Sequence, residues 1–398
     1  MVKNDSSKIK ELMEKGIEKI IERENLLRKL LSGKKLRIKH GIDPTGPKIH
    51  LGRALQFWKL KEFQNLGHTV VLIIGDFTAQ IGDASDKETM RKPLSQKEVA
   101  INMKGYLGQI GKILDMKKVE LHYNSEWFLE MKVKAFIDLQ MLFSVQQLIN
   151  RRNFKKRWEE NKPIGFHELD YPIFQGYDSL MVRADVETGG ADQLFNLKAG
   201  RQIQSAFGQN PQDIMTLKML WGLDGRKMST SWGNIITLLD PPSEIYGKIM
   251  SMKDELIDNY FDLATRLPKE EISEIKKLPN PRDQKAVLAK EIVGMYKGEK
   301  EAAKAAENFD KIFRFHEMPS NIKIFKTSRL KYPTLDLLFD SELAESKSEA
   351  KRMVEGGGVD IKIKNKNLKI KNWKEQIEIE DGMIIQFGKR KFIMIKVK

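Results

Sequence analysis

Residues 70–75 read VVLIIG, apolar at every position, and no other stretch of the chain restricts the fold as tightly. A strand with one wet face alternates polar and apolar residues. A strand apolar throughout needs cover on both faces, the setting of a central strand in a parallel sheet with helices above and below. Other short runs fit the same sheet: LRIKH at 36–40, VELHY at 119–123 and DIMTLKML at 213–220. Between them lie longer stretches with helical spacing, such as HLGRALQFWKLKEFQNLGH at 50–68. Strands alternating with helices imply an α/β parallel-sheet domain, assigned to residues 35–238. The preceding residues 1–34 are read as a helical segment, polar and helix-forming over 5–31, with Gly16 and Gly33 as punctuation. Strand signals nearly vanish over 239–328, the span of a second, helical domain. From 329 to 398 a helical stretch is followed by the alternating runs VDIKIKNKNLKI and MIIQFGKRKFIMIKV, which mark a small α+β domain.

A length of 398 residues also exceeds one ordinary core and suits two or three domains. With no cysteine, the chain has no disulfide framework, no thiol nucleophile and no thiolate zinc site. No run of about 18 apolar residues occurs, and the N-terminus lacks the apolar stretch of a secretion signal, so the expected location is the cytoplasm. Seventy Lys and Arg against fifty-five Asp and Glu give a net charge of +15, which favours a polyanionic partner such as nucleic acid. Lysine and isoleucine are both abundant throughout, however, as genome-wide base bias produces, and the charge alone is equally consistent with that bias.

Three polar elements have the chemistry to meet phosphate. The first, GIDPTGPKIHLGR at 41–53, follows a strand and opens a helix. Gly41 permits close backbone approach, Pro44 and Pro47 stiffen the turn, and His50 and Gly52 fall at a helix start, whose free N–H groups favour anions. A well-capped strand-to-helix turn would carry the same glycines and prolines. A charged His is disfavoured there and gains little structurally, whereas a His donating to phosphate has an evident use. The second element, GRKMSTSWGN at 225–234, offers Arg226, Lys227, Ser229, Thr230 and Ser231, a composition that a solvated surface turn would also carry. In the third, DASDKETMRK, Lys87 and Arg91 follow Asp83. Separately, YPIFQGYD places Tyr171, Gln175 and Asp178 at helical spacings of four and three, so the three project from one face; on its own the pattern equally describes a helix with Tyr171 in the core and Gln175 and Asp178 solvated.

HLGR together with KMSTS resembles the paired signatures of the class I aminoacyl-tRNA synthetases. Within that class YPIFQGYDS and GGADQLFN look like the tyrosyl-tRNA synthetase family of bacterial type, with IGD and YNSEW in the same order. The resemblance covers nearly the whole chain. It implies a Rossmann-like catalytic domain, an α-helical anticodon-binding domain and a C-terminal RNA-binding domain of the ribosomal-protein-like (alpha-L) type. The implied activity is ATP-dependent formation of tyrosyl-adenylate and transfer of tyrosine to the 3′ end of tRNA(Tyr). Mg²⁺ would be bound with the ATP rather than held by the protein, and the chain would act as a homodimer.

Carried over by motif, the resemblance gives Thr45 and His50 to the ATP phosphates, and Lys87, Arg91 and Lys227 to the departing pyrophosphate. Gly190 and Asp192 fall to the ribose, and Gln193 to the reacting carboxylate or α-phosphate. Gly41, Asp43, Gly52, Arg53, Met228, Ser229 and Thr230 complete the ATP site. Asp83, Tyr171 and Gln175 are assigned to the tyrosine ammonium, Asp178 to the phenol, and Asn124 to the same pocket. Arg53 stands where the first signature usually has His, and Thr230 replaces the second lysine of the other signature, so pyrophosphate leans more on Lys227, Lys87 and Arg91. Lys39 occupies a position where many bacterial relatives carry a second phenol-binding tyrosine, so hydroxyl recognition leans on Asp178. At the C-terminus Ser346, Lys347, Lys351 and Arg352 of SKSEAKRM are assigned to tRNA. A tryptophanyl-type enzyme, a small-molecule nucleotidyltransferase and an inactive RNA-binding paralogue are the competing readings.

Overall fold

The computed structural model describes residues 2–84, 93–313, 322–363, 366–388 and 391–397. The chain divides into two compact units, Met1–Asp240 with Ser251–Leu288, and Pro241–Met250 with Ala289–Lys398.

The first unit is built on a six-stranded sheet: β1 (Ile17–Ile21), β2 (Arg37–Ile42), β3 (Thr69–Ile74), β4 (Val119–Tyr123), β5 (Val186–Gly190) and β6 (Asp213–Leu217), in spatial order β1-β6-β5-β2-β3-β4. Neighbours from β6 to β4 run parallel. As its composition demands, β3 is central, and Val70 to Ile74 are fully buried.

Two elements differ from the sequence reading. Residues 5–31 are not helical throughout: β1 lies between helices Ser6–Glu14 and Arg23–Leu31 and pairs antiparallel with β6. Gly16 at φ +69° and Glu22 in the left-handed region turn the chain into and out of this edge strand. With Glu18 and Lys19 exposed, its few isoleucines give no clear alternation, and pairing with β6 decides its conformation. The second element is β5, whose sequence VETGG carries little strand signal; it is a strand because β2 and β6 flank it.

In the second unit a five-stranded sheet combines Val359–Ile363, Lys366–Lys369, Ile384–Phe387 and Lys391–Val397 with Lys323–Thr327, which lies N-terminal to residue 329 and pairs parallel with Lys391–Val397. Helices Thr334–Asp340 and Lys347–Glu355 pack on it through Leu337, Leu338, Ala350 and Val354, against Val359, Ile385 and Ile395.

Candidate active site

From β2 the sheet grows in one direction through β3 and β4, and on the other side of β2 lie β5 and β6. The order reverses between β2 and β5, where the carboxyl ends of parallel strands leave a crevice for ligands. A cleft of about 520 Å³ opens there.

On one wall β2 ends at Ile42, and the chain turns through 43–49 into helix Leu51–Asn65. His50 is its N-cap: the backbone is extended (φ −90°, ψ 163°) and Nδ1 accepts the Arg53 N–H at 3.3 Å. This corrects the expectation that the side chain gains little structurally, because a neutral imidazole caps as an acceptor where a charged one would not. Burial, helped by the Arg53 and Lys227 charges, pushes its pKa down to about 3. With Nδ1 accepting in a neutral ring, the proton sits on Nε2, a hydrogen-bond donor. Arg53 is spread over three partners, Thr45 Oγ1 at 2.8 Å, Tyr106 OH at 2.5 Å and the Asp43 carbonyl at 3.4 Å. Gly41, Thr45, Gly52 and Arg53 all line the cleft.

The facing wall carries Lys227, Met228, Ser229 and Thr230. Met228 Sδ accepts the Gly52 N–H at 3.4 Å, joining the two signatures directly. Lys227 Nζ lies 2.9 Å from Asp192 Oδ2. Asn234, not singled out in the sequence, organises this loop: its amide bonds Asp224 Oδ1 at 2.8 Å and Lys227 O at 3.1 Å, and its Oδ1 accepts the Ser229 N–H at 2.9 Å. Gly190, Asp192 and Gln193 line the cleft at the end of β5. Lys87 and Arg91 lie outside the described residues.

The deeper part of the cleft is formed by helix Phe166–Met181, and Tyr171, Gln175 and Asp178 line it together, as their spacing requires. Two features hold this helix. Arg157 and Glu168, both fully buried, form a bidentate pair at 3.1 and 2.8 Å, and Glu168 also accepts the Gly165 N–H at 2.8 Å. Against helix Leu194–Ala206 the backbones approach so closely that a Cβ at Gly176 would sit 3.0 Å from Ala199 C and Gly200 N.

Asp178 is buried and accepts Trp127 Nε1–H at 2.9 Å and Asn124 Nδ2–H at 3.4 Å. Burial pushes its pKa up to about 7, against the pull of Lys39, Trp127 and Asn124. Asn124 continues to Thr78 Oγ1 at 3.0 Å, Thr78 donates to Asp43 Oδ1 at 2.8 Å, and the Tyr171 hydroxyl donates to Asp43 Oδ2 at 2.9 Å. Asp43 is thus a joint between the two halves of the cleft. Asp83 accepts from Gln193 at 2.6 Å and Asn196 at 3.4 Å, with Arg151 3.7 Å away. Gln175 accepts from Asn196 at 3.1 Å and donates to Glu187 at 3.2 Å. Sequence reasoning missed Trp127, Thr78, Arg151 and Asn196. Trp127 and Asn196 sit inside the quoted stretches YNSEW and GGADQLFN, so their position was in hand and only their contacts were not.

In the second unit Ser346 caps helix Lys347–Glu355 by accepting the Glu349 N–H at 3.2 Å. Lys347 pairs with Asp336 at 2.6 Å, and Lys351 lies 3.8 Å from Glu355 and over the Trp373 ring at 4.6 Å. Arg352 is exposed. Among the described residues no three His, Asp or Glu side chains cluster as a metal site, and no helix is long and apolar enough to cross a membrane.

Residues 31–314 match the model of the family described as tRNA synthetases class I (W and Y). The chain is 45% identical over 390 residues to the tyrosine–tRNA ligase of Thermotoga maritima, covering 96% of both chains, and 41% identical over 385 residues to that of Aquifex aeolicus, covering 96% of this chain and 97% of the other. Among solved structures, the C-terminally truncated mitochondrial tyrosyl-tRNA synthetase of Aspergillus nidulans has a TM-score of 0.64 at 23% identity, covering 77% of this chain and 93% of that one. The L-tyrosine complex of tyrosyl-tRNA synthetase from Archaeoglobus fulgidus has a TM-score of 0.60 at 21% identity, covering 76% and 99%.

Proposed function

The chain belongs to the class I tRNA synthetases of the tryptophan and tyrosine type and acts as a tyrosine–tRNA ligase, and we propose how its cleft divides the work. A tyrosine carboxylate oxygen attacks the ATP α-phosphorus, the bond to the bridging oxygen breaks, and pyrophosphate departs. The terminal ribose hydroxyl of tRNA then attacks the acyl carbon, and AMP leaves. The protein forms no covalent bond in either step, so rate comes from positioning and from donors aimed where charge collects.

The His50 Nε2–H and the Thr45 hydroxyl donate to the triphosphate at the helix start, beside the close-approaching backbone of Gly41 and Gly52. Lys227, with Lys87 and Arg91, takes the pyrophosphate, and Arg53 fixes Thr45 and the Asp43 loop. Met228, Ser229 and Thr230 close over the nucleotide, Gly190 and Asp192 hold the ribose, and Gln193 orients the reacting carboxylate. Asp83, Tyr171 and Gln175 receive the ammonium, while Asp178, steadied by Asn124, accepts the phenol hydroxyl. Mg²⁺ enters as part of the ATP substrate.

Ser346, Lys347, Lys351 and Arg352 meet tRNA phosphates, with residues 239–328 reading the anticodon arm and 329–398 adding a second RNA contact. Leu129, Val133, Ile137, Met141 and Val145, spread over helix Val133–Gln140 and the chain on either side of it, are all exposed, Met141 by 77%. Exposed apolar residues concentrated in this segment suit a self-complementary contact between two copies, a homodimer working in the cytoplasm.

The observation carrying the tyrosine reading is the buried carboxylate of Asp178 at the base of a cleft whose mouth holds His50 and Lys227. Amino-acid-dependent exchange of pyrophosphate into ATP, run across all twenty amino acids, tests it. Exchange with tyrosine alone is expected, and abolished in Asp178→Ala. Exchange with tryptophan alone, or with none, overturns it.

A further inference from the structure

Lys39 stands in the middle of β2 with no exposure at all, an unusual place for a lysine. Directly opposite in the parallel register is Glu187 of β5, also fully buried. The Lys39 ammonium contacts Glu187 Oε1 at 2.8 Å, Ser179 Oγ at 2.7 Å and the Gln175 carbonyl at 2.8 Å. An ammonium has three donors, and all three are engaged. Glu187 in turn accepts from Ser179 at 2.9 Å, from Gln175 at 3.2 Å and from the Gln212 amide. Lys39 therefore has no proton left for a ligand in the cleft. What it grips is the 175–179 turn, the turn from which Asp178 projects.

We propose that the Lys39–Glu187 pair is a positioning element for phenol recognition: it fixes the 175–179 turn so that Asp178 faces the cleft, and its lysine supplies the counter-charge to the Asp178 carboxylate. The inference rests on the tyrosine reading above and extends it to two residues that do not touch the substrate. Asn124 and Trp127, after β4, bond the Asp178 carboxyl, and the titratable groups that act on it are Lys39 on β2, Glu187 on β5 and Tyr171 on its own helix. His122, between Glu120 and Glu126, lies beyond the Trp127 ring, 5.8 Å from it. Burial is the largest influence on Asp178 and disfavours its charge; Lys39 is the largest opposing one, and Glu187 adds a smaller repulsion. An ionised acceptor binds a phenol hydroxyl more strongly than a protonated one, so tyrosine use weakens as Asp178 takes up a proton.

This arrangement makes opposite demands of two variants. Glu187→Gln removes a repulsion and keeps Lys39, so the acid limb of kcat/KM for tyrosine moves to lower pH. The double variant K39M/E187Q removes both charges without leaving either buried alone, and the limb moves to higher pH, by roughly one unit, a loss of about tenfold near neutrality. Glu187→Gln keeps the Lys39 contacts to Gln175 and Ser179 and approaches the unaltered protein on the alkaline side, whereas K39M/E187Q loses them and stays below it in kcat/KM for tyrosine at every pH; KM for ATP stays within about twofold in both, since positioning acts on the phenol alone. His122 is common to all three proteins and cancels.

The measurement is tyrosine-dependent pyrophosphate exchange against pH, with ATP and tyrosine constants determined separately. Limbs that stay together, or that move the same way while both substrates weaken, overturn the inference and leave the pair a packing device. Should either charge variant fail to fold, Ser179→Ala, which removes one contact between the pair and the 175–179 turn and leaves both charges in place, still decides: a KM for tyrosine that fails to rise while KM for ATP holds refutes the proposal. Absence of tyrosine-dependent exchange in the unaltered protein overturns the tyrosine reading, and this inference with it.

Discussion

The Lys227 ammonium and the Asp192 carboxylate, 2.9 Å apart, neutralise one another across the cleft at the point where ribose and phosphates are proposed to enter. Nucleotide binding then requires an exchange of partners, Lys227 to phosphate and Asp192 to the ribose hydroxyls. Lys227→Ala is expected to lower kcat for pyrophosphate exchange by about 10²–10³-fold, the usual cost of removing one donor from developing charge, with little change in KM for tyrosine. Steady-state exchange kinetics check this; a rise in KM for tyrosine with kcat intact would place the lysine elsewhere.

His50 ties stability to pH. Its folded-state pKa of about 3 lies below the ordinary value of 6.5, so the unfolded chain binds more protons between the two, and stability falls as pH drops through that window. His68, held at about 4 by burial, acts in the same sense. Asp178 acts oppositely: with its pKa raised to about 7, the folded state takes up the proton first, and its contribution grows as pH falls from there. Comparison of His50→Gln with the unaltered protein cancels the other two. The variant is expected to lose less stability on acidification from about pH 6.5 to 4.5, measured as the shift in urea midpoint. Equal shifts would contradict the assignment.

The Arg157–Glu168 pair is expected to act on stability. Either Arg157→Ala or Glu168→Ala leaves a buried charge without its partner and should cost about 3–5 kcal/mol. Replacing both with apolar residues of similar volume should recover much of that loss. Chemical denaturation followed by tryptophan fluorescence reads the difference, and a double variant as unstable as the singles would show the charges themselves to be required.

The exposed apolar residues between 129 and 145 give a direct assembly test. Ile137→Asp with Met141→Asp places charge in the middle of the proposed contact and is expected to yield monomers by sedimentation velocity where the unaltered chain gives dimers. A monomeric unaltered chain would rule out the homodimer.

Much of the site was open to inspection in the sequence because it is made of local patterns. The Tyr171, Gln175 and Asp178 spacing depends only on helix geometry, and those three side chains do line one cleft. The loop after β2 announced itself through glycine, proline and a helix start, and VVLIIG fixed a covered central strand. His50 was found but its cap went unread, because the sequence does not say which ring nitrogen faces the backbone.

The chain's own order of residues determined the alternation of strands and helices and the composition of each loop, since both follow from periodicity and turn chemistry within a few residues of one another. Tertiary structure alone decided that Ile17–Ile21 and VETGG are strands, that Trp127 bonds Asp178, and that Lys39 meets Glu187 across 148 positions of chain. Those outcomes depend on which distant groups share a desolvated interior. A buried charge is tolerable only where its partner arrives, and that arrival is a property of the fold.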